Sequence, residues 1–253
     1  MAIHVERAGA GPDLVLLHGW CLHGGVWDAL AQRLAARFRL HVVDLPGHGR
    51  SRDVAFGALD DVVDEAAACC PEGAGVCGWS LGGLVALRLA TRHPARVGAL
   101  ALVSATPRFA RAPGWPHGMA PATLAAFAEG LGAAPGKAIR RFLDLCAHGG
   151  PDARRGSREL AAILAQRETP SAADLASGLA LLAHADLRSE VPAIGVPAIV
   201  VHGERDALVP VAAARWLAAS LPAARLTEIA GAAHVPFATH PDAVALALAD
   251  LHG

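Results

Sequence analysis

Short apolar runs alternate along this chain with longer segments of helical period, and this alternation limits the possible folds more than any other feature. The runs are Leu14-Val15-Leu16-Leu17, Leu40-His41-Val42-Val43, the stretch ahead of Ser80, residues 97–103, Ala198-Ile199-Val200-Val201 and residues 225–229. Between them lie helical stretches such as 26–37, 84–92 and 212–219. A strand with one wet face alternates apolar and polar residues, whereas a short run apolar on both faces is buried on both. The pattern predicts an α/β fold with a mostly parallel central sheet flanked by helices.

One region breaks the alternation. From Thr106 to about Glu190 there is no convincing strand, only a Pro/Gly-rich lead-in as far as Pro121 and then helical patterns. Leu124, Phe127, Ala128 and Leu131 are spaced for one helical face, as are Ile139, Phe142, Leu143 and Cys146. The expected organisation is a core formed by residues 1–106 and 191–253, with a helical lid over residues 107–190 inserted between two strands. Ser157 and Ser171 are candidate helix N-caps, the latter following Pro170.

A chain of 253 residues suits one large α/β domain with an insertion. Hydrophobic residues make up 53%, but much of this is alanine, which favours helices rather than a membrane span. No uninterrupted apolar stretch reaches the ~18 residues that a span requires. Met1-Ala2-Ile3-His4-Val5-Glu6-Arg7 lacks a basic segment followed by an apolar one, so no signal peptide is expected. Cys21, Cys69, Cys70, Cys77 and Cys146 are odd in number and lack metal-ligand spacing, which reads as reduced thiols in a cytoplasmic protein. A net charge of -1 argues against a nucleic-acid binder.

Gly78-Trp79-Ser80-Leu81-Gly82 is a G-x-S-x-G pattern between an apolar run and a helical one. At such a junction the serine sits on a sharp strand-to-helix turn, and the flanking glycines stand where a β-carbon would collide. A serine hydroxyl is a weak nucleophile that needs a base, and the base needs an orienting acid. In a fold of this type the partners follow in the order Ser, acid, His, each just past a strand. Val200-Val201-His202-Gly203-Glu204-Arg205-Asp206 and Ile229-Ala230-Gly231-Ala232-Ala233-His234 supply them. Asp206 is the expected acid, with Glu204 as a competitor and a helix-capping role as its alternative. His93 and His240, each before a proline, read as helix-boundary residues. The backbone N–H of Leu81 and that of Trp20, in His18-Gly19-Trp20, are the expected oxyanion donors; His18 reads as structural. Loss of one such donor typically costs about 3–4 kcal/mol of transition-state stabilisation.

These pieces resemble the α/β-hydrolase family over the whole chain. Asp44-Leu45-Pro46-Gly47-His48-Gly49-Arg50-Ser51 and Asp206-Ala207-Leu208-Val209-Pro210 are typical of it, and serine at position 80 argues against the branches that place aspartate there. Within the family the chain is similar to the pimeloyl-acyl-carrier-protein methyl ester esterases of biotin synthesis. The stretches that carry this are 14–20, 43–47, 56–59 and 78–86 in the core, and Trp115-Pro116, Arg141-Phe142-Leu143, Ala153-Arg154 and Arg158 in the lid.

The resemblance implies that Trp20, Ser80, Leu81, the stretch Phe142, Leu143, Asp144, Leu145 and Cys146, and His234 line the substrate site. It also implies that Lys137, Arg141, Arg154 and Arg158 meet the acidic acyl-carrier protein that bears the pimeloyl methyl ester. Lys137 departs from the expected arginine; it keeps the charge and loses the bidentate fork. No metal or organic cofactor is implied, nor a nucleic-acid or membrane partner, and the expected state is a monomer. The alternatives are a broader carboxylesterase or lactonase on short acyl esters, and a binding protein without turnover.

The charge pattern supports the carrier-protein reading independently, with an ordinary solvated helical face as the alternative. Lys137, Arg140, Arg141, Arg154, Arg155 and Arg158 face only Asp144 and Asp152 as anions between positions 137 and 158. Each cluster of three falls within about one helical turn, which makes a local positive surface able to steer an acidic partner.

Overall fold

The computed structural model describes residues 2–251, and in it each predicted apolar run is a strand of one sheet. The strands are β1 (Val5–Ala8), β2 (Asp13–Leu17), β3 (Arg39–Val43), β4 (Ala74–Trp79), β5 (Val97–Val103), β6 (Ala198–Gly203) and β7 (Ala224–Ile229). Their spatial order is β1-β3-β2-β4-β5-β6-β7. Among the described residues only β1 runs antiparallel to its neighbour, pairing Val5 with Val43 through Ala8 with Leu40. It was not among the predicted runs. An edge strand with mostly exposed side chains, Val-Glu-Arg-Ala, carries no apolar signature.

Parallel neighbours need a crossover, and helices supply it. Helix α1 (Asp28–Leu34) links β2 to β3, α2 (Leu59–Cys69) links β3 to β4, and α3 (Leu81–Arg92) links β4 to β5. The predicted helix at 26–37 is shorter than expected. It begins as a 3₁₀ turn, Gly24–Trp27, in which the His23 side chain caps Gly25 N. The chain leaves β2 toward β3 on one side and returns to β4 on the other. That reversal opens a crevice at the carboxyl ends of β2 and β4, the place where open α/β sheets bind ligands.

Between β5 and β6 the chain carries four helices: α4 (Pro121–Ala133), α5 (Pro135–Ala147), α6 (Ala153–Leu164) and α7 (Ala172–His184). Proline occupies the first turn of α4 and α5, where its missing N–H leaves no intrahelical bond unmade. Ile139, Phe142, Leu143 and Cys146 are all buried, as are Leu124, Phe127 and Leu131. Ala128 corrects the expectation for that face: it is exposed and lines a surface groove between α4 and α7. Ser171 caps α7, accepting from Asp174 N at 3.1 Å. Ser157 is not a cap. It lies inside α6, buried, and donates to Asp144 Oδ1, while the Asp152 carboxylate takes the N-cap position and accepts from Arg155 N at 3.0 Å. An acceptor that is also charged suits the positive end of a helix better than a hydroxyl.

Helix α8 (Val211–Ser220) joins β6 to β7, and α9 (Pro236–Thr239) and α10 (Pro241–Leu248) close the chain over the sheet. His93 and His240 both stand at helix boundaries. The five cysteines are free thiols, and burial pushes Cys77 up to about 12. Among the described residues no helix is long and apolar enough to cross a membrane.

Candidate active site

Strand β4 ends at Trp79, and the next residue turns the chain into α3 with φ 55° and ψ -116° at Ser80. A non-glycine residue pays roughly 1–3 kcal/mol for such a backbone and persists only where its surroundings fix it. Those surroundings are close. A β-carbon on Gly78 would lie 2.2 Å from Gly82 O, and one on Gly82 would lie 2.3 Å from Leu17 O. Ser80 N donates to Val103 O at 3.1 Å, which ties the turn to β5. The hydroxyl is lifted above the sheet edge yet is 2% exposed, because the inserted helices cover it.

Residues from the two later turns converge on that hydroxyl. Ser80 Oγ lies 2.9 Å from His234 Nε2, and His234 Nδ1 lies 2.8 Å from Asp206 Oδ2. The other Asp206 oxygen accepts from Leu208 N and Val209 N, each at 2.9 Å. Asp206 therefore organises the turn before α8 as well as facing His234, and α8 itself starts without a side-chain cap. Burial opposes ionisation of Asp206, but the His234 and His202 imidazoles and the Val209 N–H outweigh it and hold its carboxyl below the ordinary range. With the carboxylate ionised, His234 donates from Nδ1 and Nε2 is left to accept the serine proton. Glu204 is elsewhere, accepting from Gly231 N at 3.1 Å on an exposed turn.

The His234 loop is pinned from below. Trp79 Nε1 donates to His234 O at 2.8 Å, with the two rings 5.6 Å apart. His202, not among the predicted site residues, donates from Nε2 to Val209 O at 2.8 Å and lies 3.4 Å from Asp206 Oδ2. Its position on β6, four residues before the acid, was a signal available in the sequence.

On the other side of Ser80 lies the loop that follows β2. His18 donates from Nδ1 to Gly19 O at 2.8 Å and accepts from Leu45 N at 2.9 Å. Burial, reinforced by His48, pushes His18 down to about 3, so it is neutral and structural. Leu81 is the first residue of α3, where a backbone N–H has no intrahelical partner. Among the described residues neither Leu81 N nor Trp20 N finds a protein acceptor.

An apolar cavity opens over these groups. The core contributes Trp20, Ser80, Leu208 and His234 to its walls, and the inserted segment contributes Phe109, Met119, Leu124, Phe127, Phe142, Leu179 and Leu182. Of the stretch 142–146 expected to line the site, only Phe142 reaches this cavity, packing edge-on to Trp20 at 4.8 Å. Leu143 and Cys146 are buried within the cap, Leu145 is partly buried, and Asp144 is exposed and bonded to Ser157. Five helical residues sweep more than one full turn, so they cannot share one face. Leu179, Leu182 and Leu208 were missed, although Leu208 stands two residues after the acid.

The six cations of α5 and α6 are all exposed. Arg141 lies over the Phe127 ring at 5.4 Å, and Arg155 pairs with Glu159 at 2.7 Å. Among the described residues no cluster of His, Cys, Asp or Glu could hold a metal ion.

Comparison with known proteins agrees with this fold. The chain is 44% identical over 241 residues to a pimeloyl-[acyl-carrier protein] methyl ester esterase of Nitrosomonas europaea, covering 95% of this chain and 96% of that protein. It is 46% identical over 250 residues to a protein of the same name from Chromobacterium violaceum, covering 99% and 98%. An esterase from Exiguobacterium antarcticum superposes with a TM-score of 0.88 at 23% identity, over 98% of this chain and 94% of that one, which shows the shared fold. Residues 14–248 match the profile of the alpha/beta hydrolase family, and the chain belongs to that family.

Proposed function

We propose that this chain is a serine carboxylesterase that hydrolyses the methyl ester of pimeloyl-acyl-carrier protein to pimeloyl-acyl-carrier protein and methanol, a step of biotin synthesis. The observation that carries the reading is the placement of Ser80 Oγ, 2.9 Å from His234 Nε2, at the floor of an apolar cavity roofed by the inserted helices. Near full-length identity of 44% and 46% to two enzymes of that name supports the choice of ester.

The reading assigns each group a role. His234 takes the proton of Ser80 as Oγ attacks the ester carbonyl, and Asp206 fixes the imidazole and stabilises its charged form. The N–H groups of Trp20 and Leu81 hold the oxyanion. His234 then protonates the departing methoxide, and water attacks the acyl-enzyme by the reverse route. The core, residues 1–106 and 191–253, performs the chemistry, and the cap, residues 107–190, selects the substrate. Phe142 and its apolar neighbours hold the pimeloyl chain, while Lys137, Arg141, Arg154 and Arg158 meet the carrier protein outside. The reading is of a monomer acting in the cytoplasm.

The test is methanol release from purified pimeloyl-carrier-protein methyl ester, together with rescue of a biotin auxotroph that lacks such an esterase. Turnover and rescue are expected. A soluble protein that cleaves a short ester but does neither would retain the esterase and overturn the carrier-protein substrate.

A further inference from the structure

The Trp20 N–H sits on the loop from His18 to Gly25, and a backbone donor stabilises an oxyanion only if its loop is held in place before the reaction. The core holds one side of this loop: His18 accepts from Leu45 N at 2.9 Å, and Asp44 Oδ1 accepts from Gly24 N at 2.7 Å. The rest of the anchorage comes from the cap. Trp20 Nε1 donates to Leu175 O at 2.9 Å, and His23 Nε2 donates to Ile163 O at 2.8 Å. Between those two carbonyls Arg167 reaches down, with Nη1 at 2.6 Å from both oxygens of Asp44, the carboxylate that holds Gly24.

The Asp44 side chain is 1% exposed and that of Arg167 16%. A carboxylate so buried is costly to leave unpaired, and without Arg167 it would keep, among the described residues, only the N–H groups of Gly24 and Arg50. Helix α7 then lies directly on the Trp20 indole, where a β-carbon at Gly178 would come within 2.8 Å of Trp20 Cδ1. The hydrogen bonds that Ile163, Arg167 and Leu175 make to the core end on the oxyanion loop or on Asp44, which anchors it, and Arg167 Nη2 also lies 3.9 Å from Glu6 on β1.

We infer that the segment from Ile163 to Leu175 is a strap that positions the oxyanion loop, with Arg167 as a positioning residue for the Trp20 N–H. Seating of the cap and formation of a competent oxyanion hole are then one event. The inference rests on Trp20 as an oxyanion donor and is independent of which ester the site prefers.

Arg167→Met removes the charge and keeps most of the stem. On p-nitrophenyl acetate its kcat is expected to fall about 10- to 100-fold, the scale of a small misplacement of a catalytic group, with KM within about twofold. Affinity for a trifluoromethyl ketone, whose adduct with Ser80 places an oxyanion in the hole, falls by a similar factor, and Arg167→Lys recovers part of both. A folded Arg167→Met protein with unchanged kcat and unchanged ketone affinity overturns the inference, as does a change confined to KM. Where Arg167→Met does not fold, Trp20→Phe deletes the bond to Leu175, and an unchanged kcat there overturns the inference equally. A parent protein inactive on p-nitrophenyl acetate would instead break the esterase reading itself.

Discussion

The β4–α3 elbow and the outer face of α5 and α6 are built by opposite rules. At the elbow the approach is so close that a single added carbon at Gly78 would stand 2.2 Å from backbone, and the Asp206 and His234 side chains are fully buried. On the cap face six cations stand in water, and among the described residues only Arg155 has an ion pair. On the proposed function the difference reflects two tasks. Proton transfer and oxyanion binding require groups held within tenths of an ångström, whereas a charged surface that steers a partner needs only sign and rough placement. Lysine at position 137, where the resemblance leads one to expect arginine, is tolerable on the second kind of surface.

The harshest way to break the comparison is at the elbow. Ser80→Ala is expected to lower ester hydrolysis by roughly 10⁶-fold, the cost of losing the nucleophile of such a triad, and to abolish fluorophosphonate labelling. The melting temperature should move little, since one small, nearly enclosed hydroxyl is lost. Continued labelling of that variant would place the nucleophile elsewhere.

The elbow was also the more legible region. Gly78 lies at the end of β4, and Ser80, Gly82, Asp206 and His234 follow strands whose apolar runs mark them in the sequence; parallel topology dictates that strand ends gather at one edge. The cap was legible only as helical. Periodicity finds the buried face of α5, but it cannot tell whether a buried residue faces the cavity, as Phe142 does, or the cap interior, as Leu143 does. Ser157 was misplaced for a related reason. A serine in a polar stretch fits a cap or a helix interior equally well until Asp152 and Asp144 are known to compete for the N-terminus and for its hydroxyl. The strap was not visible at all, because Arg167 and Asp44 are 123 positions apart.

Acidification tests the buried side of the comparison at intermediate cost. Burial pushes His18 down to about 3, and it lowers His23, His48 and His202 as well. Unfolding returns each to an ordinary value near 6.5. Below that pH the unfolded chain takes up protons that the folded chain refuses, so stability is full above about 6.5 and falls as the pH drops toward 3. Asp206 and Asp44, both held below the ordinary 3.8, keep their contributions until the pH is lower still. The unfolding free energy, and with it the urea midpoint, should therefore fall between pH 7 and pH 5, the free energy by an amount on the order of a few kcal/mol. A flat midpoint across that interval would mean that the core histidines carry their protons when folded.

The mildest change tests the cap face. Arg154→Glu with Arg158→Glu reverses two exposed charges on α6. If that face steers an acidic carrier protein, kcat/KM for the carrier-borne ester should fall about tenfold or more at low ionic strength. A short free ester, which has no charge to steer, should be cleaved at the parent rate. The difference should shrink as salt approaches 1 M, where the screening length is about 3 Å. Equal losses on both esters would mean that the substitutions disturb the cavity through α6, and the separation between a rigid reaction centre and a tolerant recognition face would fail. Lys137→Arg sharpens the same point from the other side. It restores the bidentate fork without changing charge, so a gain on the carrier ester larger than about twofold would show that this face reads geometry as well as sign.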